Sequence, residues 1–186
     1  GVSSAASDVY KRQQYQRTQI NTLGTLSNCT VGVWAKFAQV PASGGGACLI
    51  TEQYAGNDIN FALGNLFNNT YVSAGVFDYP GQWYYVEGST PVVGKWYYYT
   101  LSFDGSTIKL YRDGNFIASA PYTGEAIVSS GLPINIGSRW DNLNLQSSYI
   151  NGDIAVINIY NTTLSDAEIK QNFNYHKYRY GLNYSL

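Results

Sequence analysis

Two Asp-Gly pairs, Asp104-Gly105 and Asp113-Gly114, constrain this chain more than any other feature of its sequence. They cut the stretch KWYYYTLSFDGSTIKLYRDGNFIAS, Lys95 to Ser119, into pieces of strand length. Asp-Gly supplies the left-handed backbone that tight hairpins need, so the stretch is expected to form an antiparallel meander of strand, turn, strand, turn, strand. Alternation puts Tyr97, Tyr99, Leu101 and Phe103 on one face, and Trp96, Tyr98, Thr100 and Ser102 on the other. The first set is the more apolar at its far end and is expected to face a core. Most of these tyrosines are therefore read as the wall of a sandwich.

The same grammar extends in both directions. CTVGVWAKFAQV alternates, with Val31, Val33, Ala35 and Phe37 on one face. GGGACLITEQY, DINFALGN, TYVSAGVFD, GQWYYVEGS, LPINIGSRW and YINGDIAVINIYN are further runs bounded by Gly, Asn, Asp and Pro. Such short strands predict an all-β fold: a two-sheet antiparallel β-sandwich of the jelly-roll kind. Near the end, LSDAEIKQNF predicts one short C-terminal helix. Ser165 is its cap, Glu168 completes a capping box, and Leu164 with Ile169 forms a hydrophobic staple. Ile169 and Phe173 would then face the sheet, one turn apart.

A length of 186 residues suits one domain. Residues 25–186 are assigned to the sandwich and its tail, and residues 1–24 to an N-terminal arm. Asp8 to Gln13, DVYKRQ, resembles one translated frame of a sequencing adapter. Residues 1–13 are read either as such carried-over sequence or as a native arm, and are set aside from the fold.

Charged residues make up only 12% of the chain against 45% apolar, and 18 Tyr accompany 19 Gly and no Met. That balance suits a turn-rich extracellular domain. The net charge of −1 gives no electrostatic footprint for nucleic acid. No apolar run approaches the roughly 20 residues of a membrane span. Cys29 and Cys48 could be bridged or could be two buried thiols, and the sequence leaves both open. Four Asn-x-Ser/Thr sequons begin at Asn28, Asn68, Asn161 and Asn183.

Chemistry is sparse. A glycosidase needs two carboxylates close together across the scissile bond, yet the 12 carboxylates are scattered. The nearest pairs are Asp166 with Glu168, explained by capping, and Glu52 with Asp58. His176 is the only histidine and sits in a stretch that reads as a docked tail. No catalytic residues are assigned. For glycan recognition the candidates are aromatic rings beside hydrogen-bonding groups: Trp83 with Tyr85, Arg139 with Trp140, and Tyr54 near Asn57.

GKWYYYTLSFDGSTIKLYRDGNFI resembles the centre of laminin G-like, concanavalin A-like jelly-roll domains. INIGSRWD followed by YINGDIAVINIYNTTLSDAEI is similar to the closing pattern of that family, and the resemblance spans roughly residues 26–182. It implies the sandwich fold and a rim site for calcium built from Asp side chains and carbonyls, the hard oxygen ligands this ion takes. The candidate ligands are Asp58, Asp141, Asn142, Asn144 and Asp153. The ending IKQNFNYHKYRYGL also resembles tails of laminin G-like proteins from environmental viruses and phages. The expectation is a non-catalytic structural or attachment subunit of a virus particle or other extracellular assembly. Its partners would be further copies of itself, other virion or extracellular proteins, and surface glycans. The aromatic tail would make contacts between copies. The alternatives are a soluble calcium-assisted lectin or adhesin and, behind it, a glycoside hydrolase.

Overall fold

The computed structural model describes residues 27–40, 46–54, 58–66, 70–78, 82–124, 134–140 and 146–181. Twelve strands run in chain order: β1 (Cys29–Phe37), β2 (Ala47–Tyr54), β3 (Asp58–Asn65), β4 (Ser73–Phe77), β5 (Trp83–Glu87) and β6 (Trp96–Phe103). Then come β7 (Thr107–Arg112), β8 (Asn115–Pro121), β9 (Ile134–Ile136), β10 (Arg139–Trp140), β11 (Gln146–Ser147) and β12 (Gly152–Tyr160). Helix α1 (Asp166–His176) follows and passes into a 3₁₀ turn, Lys177–Tyr180.

These strands form two five-stranded antiparallel sheets, a first ordered β12-β1-β6-β7-β8 and a second ordered β5-β4-β3-β2-β9. β10 and β11 pair as a short separate ribbon. The expected sandwich with one short C-terminal helix is the observed fold.

The core sits between the sheets. Val31, Val33, Ala35 and Phe37 of β1 join Tyr97, Tyr99, Leu101 and Phe103 of β6 on one wall. Leu49, Phe61, Leu63, Ala74, Val76 and Val86 face them from the second sheet. The tyrosine-rich stretch is thus structural wall, as its period of two requires.

The two Asp-Gly pairs act differently. Asp113 (φ 55°) and Gly114 (φ 70°) are both left-handed, the backbone of a two-residue hairpin turn. At the other pair only Gly105 is left-handed, with φ 90°. There the Asp104 carboxylate accepts the amides of Ser106 (2.9 Å) and Thr107 (2.7 Å), closing a longer loop through its side chain.

The outer face of the first sheet carries a second apolar cluster, Trp34, Tyr98 and Phe173. Helix α1 lies over it because Ile169 and Phe173 bury the face that their spacing predicts. Its capping box is formed in both directions: Ser165 N–H donates to Glu168 Oε2 at 2.8 Å, and Glu168 N–H donates to Ser165 Oγ at 3.3 Å. Thr30 clamps the approach to the helix, its hydroxyl donating to Thr162 O and accepting from Leu164 N–H, each at 2.9 Å.

One ring of the tail packs within its own chain. Tyr180 stacks on Trp34 at 4.4 Å between ring centroids and tilts against Trp96 at 4.7 Å. Its apolar face is used within the chain. Among the described residues of the tail, Tyr175 and Tyr178 are 82% and 61% exposed.

Both cysteines are free and buried, which settles the question their spacing left open. Burial, with a smaller push from the nearby Glu52 charge, raises the Cys29 thiol to about 12. Burial raises Cys48 to about 12 against the opposing charge of Arg139. Thiolate is the reactive form. The folded protein at pH 8 should therefore leave a thiol-reactive aromatic disulfide untouched, and denaturation should release two reacting thiols. Rapid native reaction of either thiol would contradict this burial.

Candidate functional site

Helix α1 covers Trp34 and Tyr98 on the outer face of the first sheet, and the second sheet carries the exposed ring of Tyr85. Along β4 and β5 the inward set is Ala74, Val76, Tyr84 and Val86. Alternation then turns Ser73, Gly75 and Phe77 outward on β4, and Trp83, Tyr85 and Glu87 outward on β5. The register sets Phe77 opposite Trp83, Gly75 opposite Tyr85 and Ser73 opposite Glu87. The connection between these strands is closed by Asp78, whose carboxylate accepts Gln82 N–H at 2.9 Å.

Trp83 meets Phe77 edge-on, with centroids 5.2 Å apart and planes at 75°. Gly75 lets the rings close over the strand. A Cβ there would lie 3.2 Å from both Trp83 Cζ3 and Tyr85 Cβ, and 3.1 Å from Tyr84 O. The result is a shelf on an edge strand of the sheet, floored by glycine and carrying a half-buried indole beside a Tyr85 that is 42% exposed. Tyr71, 41% exposed, and a hydrogen-bonded pair of hydroxyls, Thr70 and Thr90 at 3.0 Å, belong to the segments flanking this hairpin. Such amphipathic rings offer an apolar face and a polar rim, a chemistry suited to the C–H faces and hydroxyls of a sugar.

The other candidates distribute as follows. Tyr54 ends β2 and pairs with Asp58 at the start of β3. Sequential antiparallel pairing brings that hairpin to the same end of the sheet as the β4–β5 connection. Asn57 lies outside the described residues. Arg139 and Trp140 form β10, at the opposite end, where the ribbon is fastened to β2. Cys48 N–H donates to Ser148 O at 2.9 Å, and Thr51 donates to Ser138 O at 3.3 Å. Trp83 and Tyr85 are therefore brought together, and the Arg139 pair stands apart from them.

Of the calcium candidates, Asp141, Asn142 and Asn144 lie outside the described residues. Asp153 of β12 is held by Lys36 of β1 in an ion pair of 2.7 Å, directly across the strand pair. Asp58 belongs to the other sheet. Among the described residues no three His, Cys, Asp or Glu side chains gather as metal ligands.

The carboxylates of the nearest sequence pairs are engaged or buried. Asp166 accepts the Tyr111 hydroxyl at 2.6 Å and Glu168 closes the capping box. Glu52 is fully buried, opposite Phe61 in the register.

Sequence reasoning missed Gly75, Phe77 and Tyr71. Alternation in TYVSAGVFD puts the first two on one face, but only the register with β5 sets them against the two rings. Tyr71 is outside any strand, so periodicity gives it no address.

The fold is shared by solved structures of low sequence identity. The carbohydrate-binding module of a Ruminococcus gnavus sialidase, described bound to α2,3-sialyllactose, matches with a TM-score of 0.66 and 18% identity, covering 88% of this chain and 97% of that one. Domain 4 of an extracellular arabinanase from Geobacillus stearothermophilus, in complex with arabinotriose, matches with a TM-score of 0.60 and 17% identity, covering 82% and 70%. The binding domain of botulinum neurotoxin serotype G matches with a TM-score of 0.63 and 13% identity, covering 88% of this chain and 39% of that one. No curated protein sequence gives a significant match. The laminin G family model described as the concanavalin A-like lectin/glucanases superfamily matches residues 11–170, beginning inside the expected N-terminal arm. The chain belongs to the laminin G-like branch of the concanavalin A-like lectin and glucanase superfamily.

Proposed function

We propose that this chain is a non-catalytic carbohydrate-binding domain whose contact surface is the β4–β5 shelf. The observation that carries the reading is the exposure of Tyr85 beside Trp83 over the side-chain-free floor of Gly75. An indole and a phenol side by side on an open sheet face offer a flat amphipathic contact to a partner. The binding modules named above, which share the fold and are described with sugars, support the choice of ligand class. The setting we infer is outside the cell or on a virion surface, where the domain would attach a larger assembly to surface glycans. Tyr175 and Tyr178 are the exposed rings through which copies would touch.

A glycan array probed with the full chain, once with calcium and once with a chelator, tests this. Binding of the same neutral or sialylated glycans in both conditions is the expected result. Binding that vanishes with the chelator would favour the calcium-assisted lectin instead. The absence of binding in both would remove the reading.

A further inference from the structure

The sequence holds one Asn-Gly pair, Asn151-Gly152, and it falls where the chain enters β12. The glycine is a packing requirement there. The backbone of β1 passes so close that a Cβ on Gly152 would overlap Lys36 O and lie 3.0 Å from Phe37 Cα. Asn151 itself is exposed, and its Nδ2 donates to Oε1 of the likewise exposed Gln39 at 3.2 Å.

Strand pairing decides where the Gly152 amide points. Gly152 stands opposite Phe37, and Ala38 N–H donates to Asn151 O at 2.8 Å. A ladder bond at that place makes Phe37 and Gly152 one of the opposed pairs that exchange no hydrogen bond. Phe37 O is taken instead by Gly94 N–H at 2.8 Å. The Gly152 N–H is thus turned away from β1, and β12 is the outermost strand of its sheet. An amide nitrogen outside the ladder therefore adjoins an exposed carboxamide, with no side chain on the glycine to hinder their approach. The two Asp-Gly pairs could close the same ring, but their carboxylates are tied. Asp104 accepts the Ser106 and Thr107 amides at 2.9 and 2.7 Å, and Asp113 accepts Tyr98 N–H at 2.9 Å.

We propose that Asn151 is a site of spontaneous covalent modification, deamidation through a cyclic imide closed by the Gly152 nitrogen. Hydroxide takes the proton of the Gly152 amide, and the nitrogen forms a bond to Asn151 Cγ. The Cγ–Nδ2 bond breaks, and the amino group leaves as ammonia with a proton from water. Water then opens the ring, so the net change is one water consumed and one ammonia released, with nothing oxidised or reduced. Opening at Cγ gives aspartate. Opening at the backbone carbonyl gives isoaspartate, whose main chain runs through Cβ and Cγ. That longer path shifts Gly152 out of register with Phe37 and loosens the entry to β12. Either product also adds a negative charge to a strand end that already carries Asp153.

Ageing the full folded chain in mildly alkaline buffer made with heavy-oxygen water tests this. Digestion in ordinary water, followed by mass spectrometry, then reads which asparagines took up the label. The label should concentrate on the Asn151 peptide, as a mixture of aspartate and isoaspartate. Asn151→Gln, a change at an exposed position that disfavours the ring, should lose it while the fold is kept. Gln39→Ala frees the carboxamide and should speed uptake about threefold, the worth of one exposed hydrogen bond. The isoaspartyl fraction should also lose hydrogen-exchange protection at Ala38 N–H. Label spread evenly over the asparagines would overturn the proposal, and so would label that reaches Asn151 only after unfolding. Equal labelling of that peptide in Asn151→Gln would do the same. A Gln39 variant that reacts no faster would overturn the restraint assigned to that contact.

Discussion

Trp34→Ala is expected to lower the unfolding free energy by about 4 kcal/mol, the scale for deleting a buried aromatic side chain. Trp34 is fully buried between the first sheet and the helix. It touches Tyr98 at 5.4 Å, Phe173 at 5.6 Å and Tyr180 at 4.4 Å between centroids. The hole left behind would not close easily. Tyr98 is fixed by its hydrogen bond to Asn158 at 3.1 Å and lies so close over Gly32 that a Cβ there would fall 2.1 Å from its hydroxyl. Phe173 is fixed by the capped helix. Guanidinium denaturation followed by far-ultraviolet circular dichroism measures the loss. A change under about 1 kcal/mol would mean that the helix holds the sheet without its central ring.

The second large effect is functional. Replacing both Trp83 and Tyr85 by alanine should reduce glycan affinity about a hundredfold, near 3 kcal/mol for two ring contacts. The single changes should each cost about tenfold if the rings hold separate parts of one sugar chain. Tyr85 is 42% exposed, so Tyr85→Ala should move the denaturation midpoint far less than Trp34→Ala does, and affinity lost beyond that small change reports contact with ligand. Calorimetry with whichever array glycan binds provides the readout. Unchanged affinity in the double variant would place the sugar elsewhere on the molecule.

How much of this could be read without coordinates depends on the kind of order involved. The walls were legible because a period of two needs only neighbours along the chain, and Tyr97, Tyr99, Leu101 and Phe103 face inward as alternation requires. The helix was legible because its cap is local, from Ser165 to Glu168. The Asp-Gly pairs were legible as turns, but their geometry was not. Loop length decides whether Asp113 adopts a left-handed backbone or Asp104 closes the loop with its side chain.

Properties that depend on register escaped. Nothing in the sequence pairs Lys36 with Asp153. Gly75 becomes a floor only once Tyr85 is known to lie opposite it. Tyr180 shows the same limit: an aromatic ring near the end can stack within the chain or against another, and only the position of Trp34 decides.

The two thiols have a consequence for how the protein comes to exist. No covalent cross-link ties the sheets, since the chain has only these two cysteines and both remain free. The sandwich can therefore mature without an oxidant or an isomerase, and a reducing compartment should not cost it its shape. Whatever environment it finally works in, its architecture can be completed where it is made.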